Sequence, residues 1–173
     1  VFEVLVENFG DLYVSYLYFV FRKKHQNKTE RSAEILKLVA FLHNALKQGK
    51  KILFEGSQGS MLCLNYGTFP YVTSSSPLAT AIPNNTGLPL DSVNEIIGIM
   101  KAYTTRVGEG PFPSEIFDKD GDAIREKGHE YGTVPKRPRR VGWLDIPQLT
   151  YVKNITGVKH VAIMLLDVLS AVK

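Results

Sequence analysis

The chain has 173 residues, 44% of them apolar and 22% charged, the proportions of a soluble globular protein large enough for one sizeable core. Its net charge of +4 favours anionic ligands but is too mild to imply nucleic acid. One cysteine, Cys63, excludes an internal disulfide framework and fits a reducing compartment.

Residues 1–48 read as a helical segment. Residues 1–22 are rich in aromatic and aliphatic side chains. Within them the apolar run from Leu12 to Phe21 is too short to cross a bilayer, and Glu7 and Asp11 stand just before it, so a buried helix is expected. No basic stretch with a small-residue cleavage site marks a signal peptide. A polar break, KKHQNKTER, leads to a second helix, for which Thr29 and Ser32 are candidate caps. Ile35, Leu38, Val39, Leu42, Ala45 and Leu46 recur at helical spacing and give it one apolar face. Gly49 ends it.

The second segment, residues 49–173, starts with a short apolar strand, Lys51 to Phe54. Gly56, Ser57, Gln58, Gly59 and Ser60 follow it directly. Glycines at a strand end let the backbone approach a ligand closely, and ligands of α/β folds gather at strand carboxyl ends. The Gln58 amide donates and accepts at once, as reading a nucleobase edge requires; an ordinary strand-turn connection uses the same residues. Residues 74–90 read as loop, and Asp91 or Ser92 as the cap of a helix with Val93, Ile96, Ile97 and Met100 on one face. AYTTRVGEGPFP is irregular, and in it Arg106 and Glu109 are candidates for a local ion pair. Residues 116–127 suit a short polar helix, and residues 143–152 another, with Pro147 in its first turn. The run HVAIMLL, from His160 to Leu166, has the continuous apolar character of a strand buried on both faces. Strands separated by helices predict an α/β protein with a parallel or mixed sheet flanked by helices.

Lys136, Arg137, Arg139 and Arg140 crowd the loop TVPKRPRRVGW. Arginine forks match carboxylates and phosphates, and Pro135 and Pro138 stiffen the segment; a solvated basic loop is the plainer reading. Only Trp143 lies close by, so no stacking platform for nucleic acid is evident. A carboxylate at Asp167, after the last strand, can accept from N1–H and the exocyclic amine of guanine, or can simply cap a turn. The four histidines show no metal-ligand spacing. Neither a Walker loop nor GxGxxG is present.

Four stretches, FEGSQGSMLCLNYGTFPYVTSS, IIGIMKAYTTRVGEGPFPSE, GHEYGTVPKRPRRVGWLD and LLDVL, resemble adenylosuccinate synthetase in order and spacing, over about residues 50–169. The resemblance implies part of a larger ligase domain akin to P-loop NTPases. It implies an enzyme that joins IMP to L-aspartate with GTP and Mg²⁺, through a 6-phosphoryl-IMP intermediate, in AMP biosynthesis. A cytoplasmic homodimer without nucleic-acid or membrane partners goes with it. By motif position Gln58 meets the IMP base and helps withdraw its N1 proton, and Thr73 meets the IMP phosphate. Thr133, Val134, Pro135, Lys136 and Arg137 match the aspartate loop, with Arg137 also at the IMP ribose. Arg139, Leu165 and Asp167 match the GTP site.

The departures are specific. Val134-Pro135 replaces a usual Thr-Thr, and Pro135 has no N–H to donate. Leu165 stands where the family usually has lysine, which keeps open a related synthetase using another purine nucleotide or ATP. Cys63 and Asn65 replace acidic positions. The family's glycine-rich phosphate loop with its catalytic aspartate and Mg²⁺ ligands, its catalytic histidine and its C-terminal part have no counterpart in this sequence. The 173-residue chain alone is therefore expected to be inactive, or to be a nucleotide-binding remnant, and to expose apolar surface where further strands would lie.

Overall fold

The computed structural model describes residues 2–8, 11–16, 28–132 and 137–172. It is a mixed α/β fold with small sheets, as the element pattern predicts, and divides into two compact units, Val1–Asn94 and Glu95–Lys173.

In the first unit β1 (Phe2–Asn8) pairs antiparallel with both β2 (Asp11–Tyr16) and β3 (Ile52–Gly56), giving the order β2-β1-β3. The helix expected within residues 1–22 is thus replaced by two strands. Val4, Val6, Tyr13, Val14 and Tyr16 are β-branched or aromatic types that fit a pleated surface, and their richness in apolar residues does not by itself select a helix. The second expected helix forms as α1 (Lys28–Lys47), starting early enough that Thr29 and Ser32 lie inside it rather than at its cap. Gly49 follows it at φ 68°, a left-handed conformation that only glycine adopts without strain. Leu42 and Ala45 of α1 are buried against Leu88, with Leu38, Leu46, Ile52 and Phe54 packed around them, while Ile35 is exposed. The apolar face therefore works in its C-terminal half only. The loop of residues 74–90 contains a 3-10 turn, Ala79–Ala81, and the short α2 (Ile82–Thr86).

In the second unit β4 (Ile97–Lys101) runs parallel to β7 (His160–Met164), with Ile97 opposite His160 and Lys101 opposite Met164. The helix expected after Asp91 is thus a 3-10 turn, Leu90–Ser92, followed by this strand. Ile97 and Ile99 are β-branched, and tertiary pairing with β7 overrides a spacing that both periods satisfy. β5 (Thr104–Arg106) pairs antiparallel with β6 (Arg140–Gly142). α3 (Lys119–Lys127) is capped by the Asp118 carboxylate, which accepts from the Asp120 N–H at 2.9 Å. α4 (Ile146–Thr156) is capped by Asp145 and carries Pro147 in its first turn, as expected. Ala102, Tyr103, Ile116, Ile124, Val141 and Val168 form the core. β7 departs from its expected burial: all five residues are exposed, as are Ile97 and Ile99 on β4, while Gly98, Met100 and Lys101 of β4 are half-buried.

Candidate functional site

β3 delivers the chain to Gly56, and Ser57, Gln58 and Gly59 after it are all exposed. Ser57 Oγ donates to Gln58 Oε1 at 3.1 Å. A side chain added at Gly59 would meet no atom within 4 Å, so this glycine leaves room above the backbone. A 3-10 turn, Ser60–Leu62, then starts a loop that folds back on itself. The Thr73 N–H donates to the Leu62 carbonyl at 2.8 Å and the Leu64 N–H to Ser75 at 3.1 Å. Gly67 is required by proximity: a Cβ there would lie 2.3 Å from the Met61 carbonyl oxygen. Cys63 is fully buried, with Sγ 3.1 Å from Ser76 Oγ. Gln58 and Thr73 therefore belong to one backbone-knit loop.

The second unit is built around a carboxylate. Glu130 is 1% exposed, yet three donors converge on it. Lys101 Nζ at 2.5 Å and Tyr103 Oη at 2.6 Å both reach Oε1, and Arg139 Nη1 reaches Oε2 at 3.0 Å. The backbone repeats the tie, since the Arg139 N–H donates to the Glu130 carbonyl at 2.8 Å. Burial pushes the Glu130 carboxyl up, but the hydrogen bonds from Lys101, Tyr103 and Arg139 outweigh it and hold the group below the ordinary carboxylate range. Burial pushes the Tyr103 phenol well up, and its bond to Glu130 adds to this. The Asp167 charge pushes the same phenol up and that of Arg139 pushes it down. Gly128 makes the cluster possible: a Cβ there would sit 2.4 Å from Tyr103 Oη.

Arg140 is committed elsewhere. Its Nε donates to Glu115 Oε1 at 2.7 Å, its Nη2 to Glu115 Oε2, and its Nη1 to the Gly110 carbonyl at 2.9 Å. These bonds hold the Glu115 carboxyl below its usual range and raise the Arg140 guanidinium. An open cleft of about 310 Å³ beside them is lined by Glu115, Phe117, Asp122, Arg125, Arg139 and Arg140. The expected Arg106–Glu109 pairing takes another form, Arg106 Nε donating to the Glu109 backbone carbonyl at 2.9 Å.

Of the residues picked out in the sequence, Gln58 and Thr73 share the first unit's loop, while Arg139 and Asp167 belong to the second, where Arg139 joins the Glu130 cluster. Arg137 is exposed and its carbonyl accepts the Gly132 N–H at 2.8 Å. Thr133, Val134, Pro135 and Lys136 lie outside the described residues. Leu165 adopts φ 60°, a left-handed conformation rare for leucine, and leads into the 3-10 helix Leu166–Ala171 that carries the exposed Asp167. Sequence reading missed Lys101, Tyr103 and Glu130. The one signal available was a charged residue next to glycine-flanked aromatics in GHEYG, which many turns share.

The folding pattern defines an α/β protein with a glycine-rich loop at a strand end and a cationic cluster organised on a buried carboxylate. The adenylosuccinate synthetase family profile matches residues 6–173. The chain is 45% identical to the adenylosuccinate synthetase of Thermoanaerobacter sp. (strain X514) over 159 residues, covering 90% of this chain and 37% of that relative. It superposes on the fully ligated adenylosuccinate synthetase from Plasmodium falciparum with a TM-score of 0.73 at 45% identity, covering 76% of this chain and 31% of that one. The cyanophage S-2L succinoaminodeoxyadenylate synthetase, bound to dGMP and to dATP as an energy donor, matches at 0.54 and 26% identity, covering 68% of this chain and 40% of that one. The chain belongs to the adenylosuccinate synthetase family. It spans about a third of the length of the curated relatives it matches, 37% and 31% in two cases.

Proposed function

We propose that this chain forms the central part of a ligase that joins IMP and L-aspartate at the expense of GTP, giving adenylosuccinate. The reading is carried by its 45% identity to the Plasmodium falciparum synthetase across 76% of the chain. In the first step the γ-phosphoryl group leaves GTP and bonds to the purine 6-oxygen. In the second the aspartate amine bonds to C6 and the phosphate departs. Gln58 faces the base and assists loss of the N1 proton, and Thr73 donates to the IMP phosphate. Residues 133–137 receive aspartate, with Arg137 also at the ribose. Arg139 meets the phosphates of GTP, Asp167 accepts from guanine, and Leu165 packs on the base. Both steps move negative charge, so fixed cations and donors are the chemistry the site needs.

No group of three His, Cys, Asp or Glu side chains converges among the described residues, and the Mg²⁺ that accompanies GTP is expected on the family's phosphate loop rather than on these residues. The roles above rest only on hydrogen bonds and side-chain charge. No described helix is long and apolar enough to cross a membrane. A cytoplasmic location and a homodimer complete the proposal.

Titration of GTP and ATP into the protein tests it. GTP is expected to bind at least about tenfold more tightly, and Asp167→Ala to erase the preference. Equal affinities, or no purine binding, overturn it. A second reading, a related synthetase drawing on an adenine nucleotide, is favoured by Leu165 in place of lysine and by the likeness to the cyanophage enzyme. Tighter binding of ATP than GTP would select it.

A further inference from the structure

Arg139 offers five N–H donors, yet Glu130 takes only one of its terminal nitrogens. A two-pronged pairing is blocked because Oε1 already receives Lys101 and Tyr103. Arg139 Nε is buried and has no hydrogen-bond partner among the described residues. A buried donor left unpaired is costly, so this one is held in place by something else. The surroundings supply it. Arg139 is gripped through its N–H by Glu130, through its carbonyl by Arg125 Nε at 2.9 Å, and through Nη1 by the carboxylate. Lys101 and Arg139 bring two positive charges to the single negative charge of Glu130. Arg139 also lines the 310 Å³ cleft, beside Glu115, Asp122, Arg125 and Arg140. The side chain of Arg139 is 33% exposed and that of Glu130 only 2%, so the arginine faces outward and the carboxylate backs it.

We infer that Glu130 is a positioning residue: it holds the Arg139 guanidinium by one terminal nitrogen and leaves the other terminal N–H donors, not the buried Nε, for an anionic ligand. For the identity of that ligand, the phosphate chain of GTP, the inference rests on the function proposed above. Lys101 and Tyr103 act one step further back. They fill Oε1, which prevents the carboxylate from taking both prongs of Arg139. Gly128, by leaving room for Tyr103 Oη, serves the same purpose.

Two readouts test this separately. The first is the Arg139 Nε–Hε resonance in the ¹⁵N spectrum of the protein, with Arg140 as internal reference. In Glu130→Gln the Arg139 signal is expected to merge with those of freely rotating arginines while that of Arg140, bonded to Glu115, stays resolved. An Arg139 signal that stays resolved overturns the inference. The second is GTP affinity. Glu130→Gln is expected to weaken it about tenfold, the worth of one charge-assisted hydrogen bond, and to add nothing once Arg139→Ala is present. Losses that add in the double variant also overturn it, because a structural role would act independently of Arg139. If GTP does not bind, or Arg139→Ala leaves its affinity unchanged, the assignment of Arg139 to GTP fails instead, and the resonance still judges the positioning. Should Glu130→Gln not fold, Glu130→Asp keeps the charge, withdraws it from Arg139 by one methylene, and carries the same readouts.

Discussion

The glycine-rich loop after β3 and the Glu130 cluster hold their polar groups by opposite means. At the loop's tip the Ser57 and Gln58 side chains stand in solvent, and the backbone bonds to itself, as in the 2.8 Å bond from the Thr73 N–H to Leu62. In the cluster the side chains bond to one another around a carboxylate that is 1% exposed. A backbone-held loop can change a tip residue at little cost. A buried charge cannot lose a partner without leaving another uncompensated.

The sharpest contrast is therefore Glu130→Ala against Gln58→Ala. Removing Glu130 leaves Lys101, Tyr103 and Arg139 without their acceptor and is expected to cost about 3–5 kcal/mol. Removing the exposed Gln58 amide is expected to stay within about 0.5 kcal/mol. Urea unfolding midpoints measure both, and equal losses would dissolve the distinction. The same contrast has a pH form. The hydrogen bonds overcome burial at Glu130 and hold its folded carboxyl below 4.5, and Arg140 does so at Glu115. A depressed carboxyl contributes stability above its unfolded value, and that contribution is lost as pH falls through the folded one. Wild-type stability should fall from about pH 4.5 downward, and Glu130→Gln should fall less steeply. A parallel fall in both would show that Glu130 is not the titrating group.

Glycines sharpen the comparison further. A methyl at Gly128 would lie 2.4 Å from Tyr103 Oη and 2.9 Å from the Ile124 carbonyl, so Gly128→Ala must push Tyr103 off Glu130. One at Gly67 would lie 2.3 Å from the Met61 carbonyl, which is backbone and yields little. Each substitution is expected to cost about 2–3 kcal/mol by overpacking. Gly59→Ala meets nothing within 4 Å and should be close to neutral. Thermal unfolding of the three variants checks the ranking. Loss of the Tyr103–Glu130 bond in Gly128→Ala should also return the phenol toward ordinary titration, visible as ionisation at lower pH.

These two regions also differ in how much of them the sequence revealed. Gln58, Thr73 and the glycines of the loop are contiguous, and local residue types suffice to mark a ligand-binding turn. Of the cluster, Arg139 stands out in the sequence through its basic loop, whereas Lys101, Tyr103 and Glu130 are ordinary residues when taken alone. Only the 2.5–3.0 Å convergence on one carboxylate distinguishes them. The helices α3 and α4 form on local signals, Pro147 in a first turn, which the sequence reading used, and the caps Asp118 and Asp145, which it did not single out. The strands β1, β2 and β4 were not legible, because pairing with distant partners decided among patterns that a helix also satisfies. The burial of β7 failed for a related reason, since an apolar run states what a strand would tolerate and not what covers it.

Cys63 measures a smaller effect inside the loop. It is fully buried with Sγ 3.1 Å from Ser76 Oγ. Cys63→Ala removes that partner and opens a small void, at an expected cost of about 1–2 kcal/mol. Cys63→Ser keeps a hydrogen-bonding atom, and a loss as large as that of alanine would show that packing, not the contact with Ser76, pins the loop.

Leu165 carries the smallest and most diagnostic change. At φ 60° and ψ 33° its Cβ crowds the following carbonyl, which costs about 1–2 kcal/mol for a residue other than glycine. Leu165→Gly relieves that strain but gives back about 0.5–1 kcal/mol through the greater freedom of the unfolded chain, so a net gain of up to about 1 kcal/mol is expected. Leu165→Val should move the other way, because branching at Cβ makes the left-handed region harder to occupy. Leu165 is 37% exposed, so Leu165→Gly also loses the packing of its covered part, which cuts into the gain, while Leu165→Val keeps most of it. If Leu165 covers a nucleotide base, Leu165→Gly will raise the unfolding midpoint while weakening guanine nucleotide binding. A strained residue retained against stability is then explained by its ligand. A midpoint that falls in Leu165→Gly would mean that the leucine contributes more through contact than it costs through its backbone, and the case for a strained, ligand-facing position after β7 would be lost.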